Sequence, residues 1–206
     1  EYSDYEGRIL AGGDARRELR EIRENVRFSA ITRINHNGYI FRGTVEENLC
    51  MGNQNASAAD MLKVLRQVDL YEDFEPRGGL AMALSERGEN LSGGQRQRVW
   101  IAMALAQNTK ILFLDEPTTY LDIRYQVEIL ELVKKLNREF GITIIMVLHD
   151  INQAIYFSDK VIGLKGGLVE ILGKPNDVIT TESIETLYGI RLDVTKIEGQ
   201  KFVLTI

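Results

Sequence analysis

Two apolar runs, each ending in ionisable residues and separated by one helix-length stripe, constrain this chain more than any other feature. "ILFLDEP" runs from Ile111 to Pro117, and four apolar residues lead directly into Asp115 and Glu116. "ITIIMVLHD" carries Ile142 to Leu148, apolar except for Thr143, into His149 and Asp150. Between the runs, Val127, Leu130, Val133, Leu136 and Phe140 recur at roughly helical spacing, and Gly141 stops the stripe. Ile111 to Leu114 shows no polar alternation, as expected of a parallel strand covered on both faces. Strand, helix, strand in this order predicts a right-handed crossover joining two parallel strands. Both strands then end at one edge of the sheet, where open parallel sheets bind ligands. The expected fold class is therefore α/β with a parallel sheet at its core.

Two acids and an imidazole would converge at that edge. Adjacent residues of a strand point opposite ways, so Asp115 and Glu116 suit different tasks. One carboxylate can hold a hydrated Mg²⁺ and the other can orient or deprotonate a water. The plainer alternative is that both acids cap the following turn. A lone histidine after a strand, such as His149, is more often structural than catalytic; its convergence with the acids argues for the functional role.

A phosphate-binding element is expected elsewhere. "LSGGQ", Leu91 to Gln95, places the Ser92 hydroxyl and two residues without Cβ, Gly93 and Gly94, at the start of a helix expected to run to about Gln107. Free backbone N–H groups at a helix start attract anions, and glycine lets a phosphate approach. The alternative is an ordinary Ser-capped helix. Arg96 and Arg98 stand against it, because cations near a helix N-terminus oppose its dipole, and a polyphosphate would relieve that conflict.

The rest of the chain frames these motifs. "GRILAGGD" reads as a short strand and a turn, "ARRELREIRENV" as a helix with Leu19, Ile22 and Val26 on one face, and "FSAITRI" as a strand. From Val45 to Ala83 the pattern is helical, with Met61, Leu62, Leu65 and Val68 on one face and Ser57 as a cap with Asp60 three residues on. "NQAIYF" is a short helix, Val161 to Leu172 a hairpin around Lys165-Gly166-Gly167, and Pro175 suits a first helical turn. The tail reads as a hairpin around Glu198-Gly199.

Composition excludes several classes. A net charge of −5, with 27% charged residues of both signs interspersed, offers no surface for nucleic acid. The longest apolar stretch is far short of the ~20 residues that span a bilayer. Cys50 is the only cysteine, so no internal disulfide can form. The chain starts at Glu1 rather than Met, which reads as a processed chain or a piece of a longer one.

"LSGGQRQR", "ILFLDEP", "TTYLD" and "LHD", at these separations, resemble an ABC-transporter ATPase subunit. The combination is far more specific than any one motif. The resemblance implies a partial P-loop NTPase-like fold with ATP and Mg²⁺ as ligands. It makes "LSGGQ" the signature sequence, with Ser92, Gly93, Gly94 and Gln95 facing ATP held by a second ATPase subunit in a head-to-tail dimer. Asp115 would be the magnesium-side acid, Glu116 the general base and His149 the switch histidine at the terminal phosphate. Asp122 would belong to the loop that follows the acids. Transmembrane permease subunits are the implied partners, which would hold the chain at the cytoplasmic face of the cell membrane without direct insertion.

Residues Val99 to about Ile190 resemble importer subunits for iron–siderophore or cobalamin-type complexes, whereas "YIFRGTVEENL" and "SERGENLSGGQRQR" resemble exporter ATPases. That division implies a hybrid. The organisation expected is a remnant of the N-terminal region over 1–44, a helical subdomain over 45–90, half of the ATPase core over 91–172 and a tail over 173–206. Two departures stand out. His36 falls where the family usually has its lid-coupling glutamine, and a histidine there can donate to a water near the metal, or it is a simple loop residue. No G-x-x-x-x-G-K-(S/T) phosphate loop is present, since Gly173-Lys174 is followed by Pro175; the family places that loop before "GRILAGGD". The competing readings are an importer ATPase subunit, an exporter nucleotide-binding domain, and a non-catalytic binding module. A chromosome or repair ATPase of the same type would carry a long coiled-coil insertion between the halves, which the sequence lacks.

Overall fold

A computed structural model describes residues 10–11, 17–18, 31–34, 39–51 and 53–205. The chain divides into two compact units that meet in sequence at Met146 and Val147.

The first unit opens with β1 (Leu10–Ala11) paired antiparallel to β2 (Arg17–Glu18), Leu10 opposite Glu18. Arg17 and Glu18 therefore lie in a strand where the sequence pattern predicts a helix; the rest of that expected helix falls outside the described residues. A single short stripe has little helical stability of its own, and pairing with Leu10 and Ala11 overrides it. β3 (Ile31–Ile34) follows, then β4 (Gly43–Thr44), α1 (Val45–Cys50), α2 (Ala58–Gln67) and α3 (Tyr71–Phe74). Single turns of 3-10 helix and β5 (Ala83–Leu84), antiparallel to β4, complete this helical region. Its helix starts are written in the sequence. Thr44 and Glu47 form a reciprocal capping box at α1, and Ser57 and Asp60 form one at α2. The buried face of α2 is Met61, Val64 and Leu65, with Leu62 half-buried.

α4 (Gly93–Leu105) is followed by β6 (Ile111–Asp115), α5 (Ile123–Phe140) and β7 (Thr143–Val147), the strand, helix and strand expected from the two apolar runs. The sheet order is β3-β6-β7, and β3 runs parallel to β6 with Ile31 opposite Ile111 and Ile34 opposite Leu114. α4 packs against both β3 and α5. Phe74, Ile101, Leu112, Leu114, Ile129 and Leu136 join one core that spans the helical region and the sheet. Burying each such side chain contributes about 1.5–3 kcal/mol.

Burial along the strands alternates, contrary to the expectation of cover on both faces. Leu112 and Leu114 are buried and their neighbours on β6 only half-buried, while Ile145 and Val147 of β7 are 41% and 50% exposed. The α5 stripe also shifts. Leu130, Val133 and Leu136 are buried with Ile129 and Leu132, but Val127 is 46% exposed. Nine residues at about 100° each turn a helix half a revolution too far, so Val127 and Leu136 face opposite ways. Gly141 ends the helix in the left-handed conformation, φ 66°.

The second unit holds α6 (Ile151–Phe157), whose first turn is capped by the Asp150 carboxylate. The hairpin β8 (Val161–Lys165) and β9 (Leu168–Gly173) follows, then α7 (Pro175–Val178) and α8 (Thr181–Tyr188). β10 (Val194–Ile197) and β11 (Gln200–Val203) close the unit as the expected hairpin, with φ positive at both Glu198 and Gly199. Ile155, Ile179, Ile184 and Val203 form its small core. The Asn152 side chain acts like a strand edge, donating to the Val203 carbonyl at 3.0 Å and accepting from the Val203 N–H at 2.8 Å. α8 was not foreseen from sequence, although its Thr180–Ser183 capping box is a readable start signal.

Candidate functional site

Asp115 is the last residue of β6, and Glu116 is already outside the strand, with φ 53°. The expected divergence of the two acids thus comes from a left-handed kink and not from strand alternation. Left-handed backbone at a residue with a Cβ costs on the order of 1–3 kcal/mol and persists only where the surroundings enforce it. Here Pro117 and Thr118 are buried, and Thr119 bonds back twice. Its N–H donates to the Glu116 carbonyl at 3.2 Å and its hydroxyl to the Glu116 carboxylate at 3.2 Å. On the neighbouring strand, Arg33 lies opposite Phe113, two residues short of Asp115. From there its Nη2 donates to Asp115 Oδ2 at 2.8 Å.

At the head of α4, Ser92 is the N-cap. Its hydroxyl accepts from the Gln95 N–H at 3.2 Å, and Gln95 Oε1 accepts from the Ser92 N–H at 3.1 Å. Gln95 also donates from Nε2 to Asp73 Oδ2 at 3.0 Å, which ties the helix start to α3. Both glycines are in close quarters. A Cβ on Gly93 would lie 3.3 Å from Leu121 Cδ2, and one on Gly94 only 2.7 Å from Tyr125 Cδ1. Asp122 caps α5 by accepting from the Tyr125 N–H at 3.2 Å. The structure therefore brings "LSGGQ" against the Leu121–Tyr125 segment of the same chain.

At Arg98 the phosphate expected from the sequence is replaced by an ion pair within the chain. Arg98 lies in the second turn of α4 and is paired within the chain: its Nη2 meets Glu128 Oε2 at 3.0 Å, and Arg124 Nε meets Glu128 Oε1 at 2.9 Å. The half-buried Glu128 offsets the unfavourable dipole that had been assigned to an incoming phosphate.

His149 lies in the second unit, exposed, two residues beyond the end of β7, and His36 falls outside the described residues. Four residues of the site were not read from the sequence: Arg33, Thr119, Asp73 and Tyr125. Arg33 left a signal, an arginine between the isoleucines of a short apolar strand. Among the described residues no group of three or more His, Cys, Asp or Glu is arranged to hold a metal. Mg²⁺ takes one or two carboxylates and fills its shell with phosphate oxygens and water, so Asp115 fits a magnesium that arrives with a nucleotide.

The family described as ABC transporter matches residues 1–119. The petrobactin import ATP-binding protein FpuC of Bacillus anthracis is 57% identical over 106 residues, covering 52% of this chain and 39% of that protein. The ferric enterobactin transport ATP-binding protein FepC of Escherichia coli strain K12 is 50% identical over 113 residues, covering 55% and 42%. A solved structure of a bacterial Atm1-family ABC exporter with ATP bound superposes with a TM-score of 0.64 at 26% identity, over 76% of this chain and 27% of that one. The parallel sheet and its flanking helices are those of a P-loop NTPase-like α/β fold. The chain belongs to the ABC transporter family, and it spans about two fifths of the length of the curated relatives named here.

Proposed function

We propose that the chain is part of the ATP-hydrolysing subunit of an ABC importer for an iron(III)–siderophore-like complex, working on the cytoplasmic face of the cell membrane. The observation that carries this reading is the placement of Asp115 and Glu116 at the carboxyl end of β6, with Glu116 held in a strained left-handed turn by Thr119. The 57% identity with a petrobactin import ATP-binding protein supports import over export. No helix among the described residues is long and apolar enough to cross a membrane, which fits attachment through permease subunits.

Mg²⁺ bound with ATP supplies neutralisation of phosphate charge, and Asp115 is the residue that would hold it. Glu116 accepts the proton of the attacking water, a role for which its kinked backbone frees it from the strand direction. His149 is assigned to the terminal phosphate. Ser92, Gly93, Gly94 and Gln95 present the head of α4 to ATP held by a second subunit, in a head-to-tail dimer. Asp122 shapes the loop between these elements by capping α5.

The partner test uses photo-crosslinkers at exposed positions of the helical region, Met51 and Glu72. They should capture a cytoplasmic helix of the permease; capture only from labels beyond Lys174 would contradict the assignment. The 206 residues contain no G-x-x-x-x-G-K-(S/T) sequence, whose N–H cradle and lysine make most phosphate contacts. Calorimetry on this chain should accordingly find MgATP binding weaker than micromolar, and micromolar affinity would count against the reading.

A further inference from the structure

We infer that Arg33 is an electrostatic latch on the metal position, holding the Asp115 carboxylate and having to release it before a divalent cation can bind there. The inference rests on Asp115 being the metal-side acid. The Arg33 side chain is 65% exposed, on a strand whose Ile34 is in the core. Toward the described residues it makes a charge-assisted bond, 2.8 Å from Nη2 to Asp115 Oδ2, across the β3–β6 pair.

A magnesium ion ligates a carboxylate oxygen at about 2.0–2.1 Å with a strict octahedral shell. A guanidinium nitrogen on the same carboxylate occupies part of that approach and repels a dication. Metal and Arg33 therefore compete. Asp115 is 30% exposed, so the pair is partly screened, and pairs of this kind shift equilibria by a few-fold. Such a latch favours metal that comes with a polyphosphate, whose oxygens complete the shell, over the free ion, which gains one carboxylate alone. The nucleotide-loaded state then opens the pair, and the empty state keeps the site neutral.

The test is Mn²⁺ titration of this chain at low ionic strength, with free Mn²⁺ read by electron paramagnetic resonance. Arg33→Gln should tighten binding by about threefold to fivefold. Arg33→Lys keeps the charge and should stay within about twofold of the parent. Asp115→Asn in the Arg33→Gln background should remove the added affinity. Binding that is tightened but survives Asp115→Asn overturns both the latch and the reading of Asp115 as the metal-side acid. Binding that depends on Asp115 yet is equal with Arg33 and with Gln at that position overturns the latch alone. A second readout needs no substitution: the Arg33 side-chain Nε–H resonance should shift as Mg²⁺ saturates the parent chain, and a resonance that stays in place also overturns the latch.

Discussion

A Cβ added to Gly94 would lie 2.7 Å from Cδ1 of Tyr125, so α4 and α5 touch through a residue that has no side chain. The second glycine of "LSGGQ" is therefore required by packing within one chain, whatever ligand the first turn meets. Gly94→Ala gains up to about 1 kcal/mol of helix propensity but forces the Tyr125 ring to move, at about 1–3 kcal/mol. Urea unfolding should show a net loss of about 1–2 kcal/mol. Adding Tyr125→Leu should restore part of it; an equal loss in both backgrounds would show that the ring is not the obstacle.

Glu116 gives a cleaner backbone test. Alanine and glycine at this position both lose the bond from Thr119, and they differ only in tolerance of φ 53°. Glu116→Gly should unfold at higher urea than Glu116→Ala, by about 1 kcal/mol. The usual order, alanine more stable than glycine, would mean the acid does not sit in a left-handed turn.

Asp60 sets a pH dependence. The Ser57 hydroxyl donates to its carboxylate at 2.6 Å and the Ser57 N–H at 3.2 Å, which holds its pKa below the ordinary 3.8. A lowered folded pKa means that folding favours the ionised form, so the stabilisation is complete above the ordinary value and is lost as pH falls through the folded one. Asp60→Asn should thus be less stable than the parent at neutral pH, with the difference shrinking below pH 3.8. Urea midpoints at several pH values read this directly, and a difference constant with pH would exclude the charged cap.

Particular residues show what the sequence carried. The β6–α5–β7 crossover was legible because its apolar runs are long and Gly141 punctuates them. The caps at Ser57 and Ser92 were legible because capping boxes are local, three residues across. Arg33 and Tyr125 were not, because their partners Asp115 and Gly94 lie 82 and 31 residues away and only strand register or helix crossing brings them together. Val127 misled because a run of i+3 steps looks helical but drifts off one face. Arg98 misled because Glu128, on the next helix, supplies the countercharge assigned to a phosphate.

Glu116 is proposed to deprotonate the attacking water while Asp115 holds the metal. A phosphate-loop segment from a related import ATP-binding protein, joined upstream of this chain, allows single-turnover hydrolysis and ATP affinity to be measured together. Asp115→Asn should weaken the Mg²⁺ dependence itself. Glu116→Gln keeps the shape and removes the base: hydrolysis should fall by about 10²–10⁴-fold, roughly 3–5 kcal/mol of barrier, with ATP affinity unchanged. A Glu116→Gln protein that hydrolyses ATP within about threefold of its parent, a margin of about 0.7 kcal/mol, would contradict the claim.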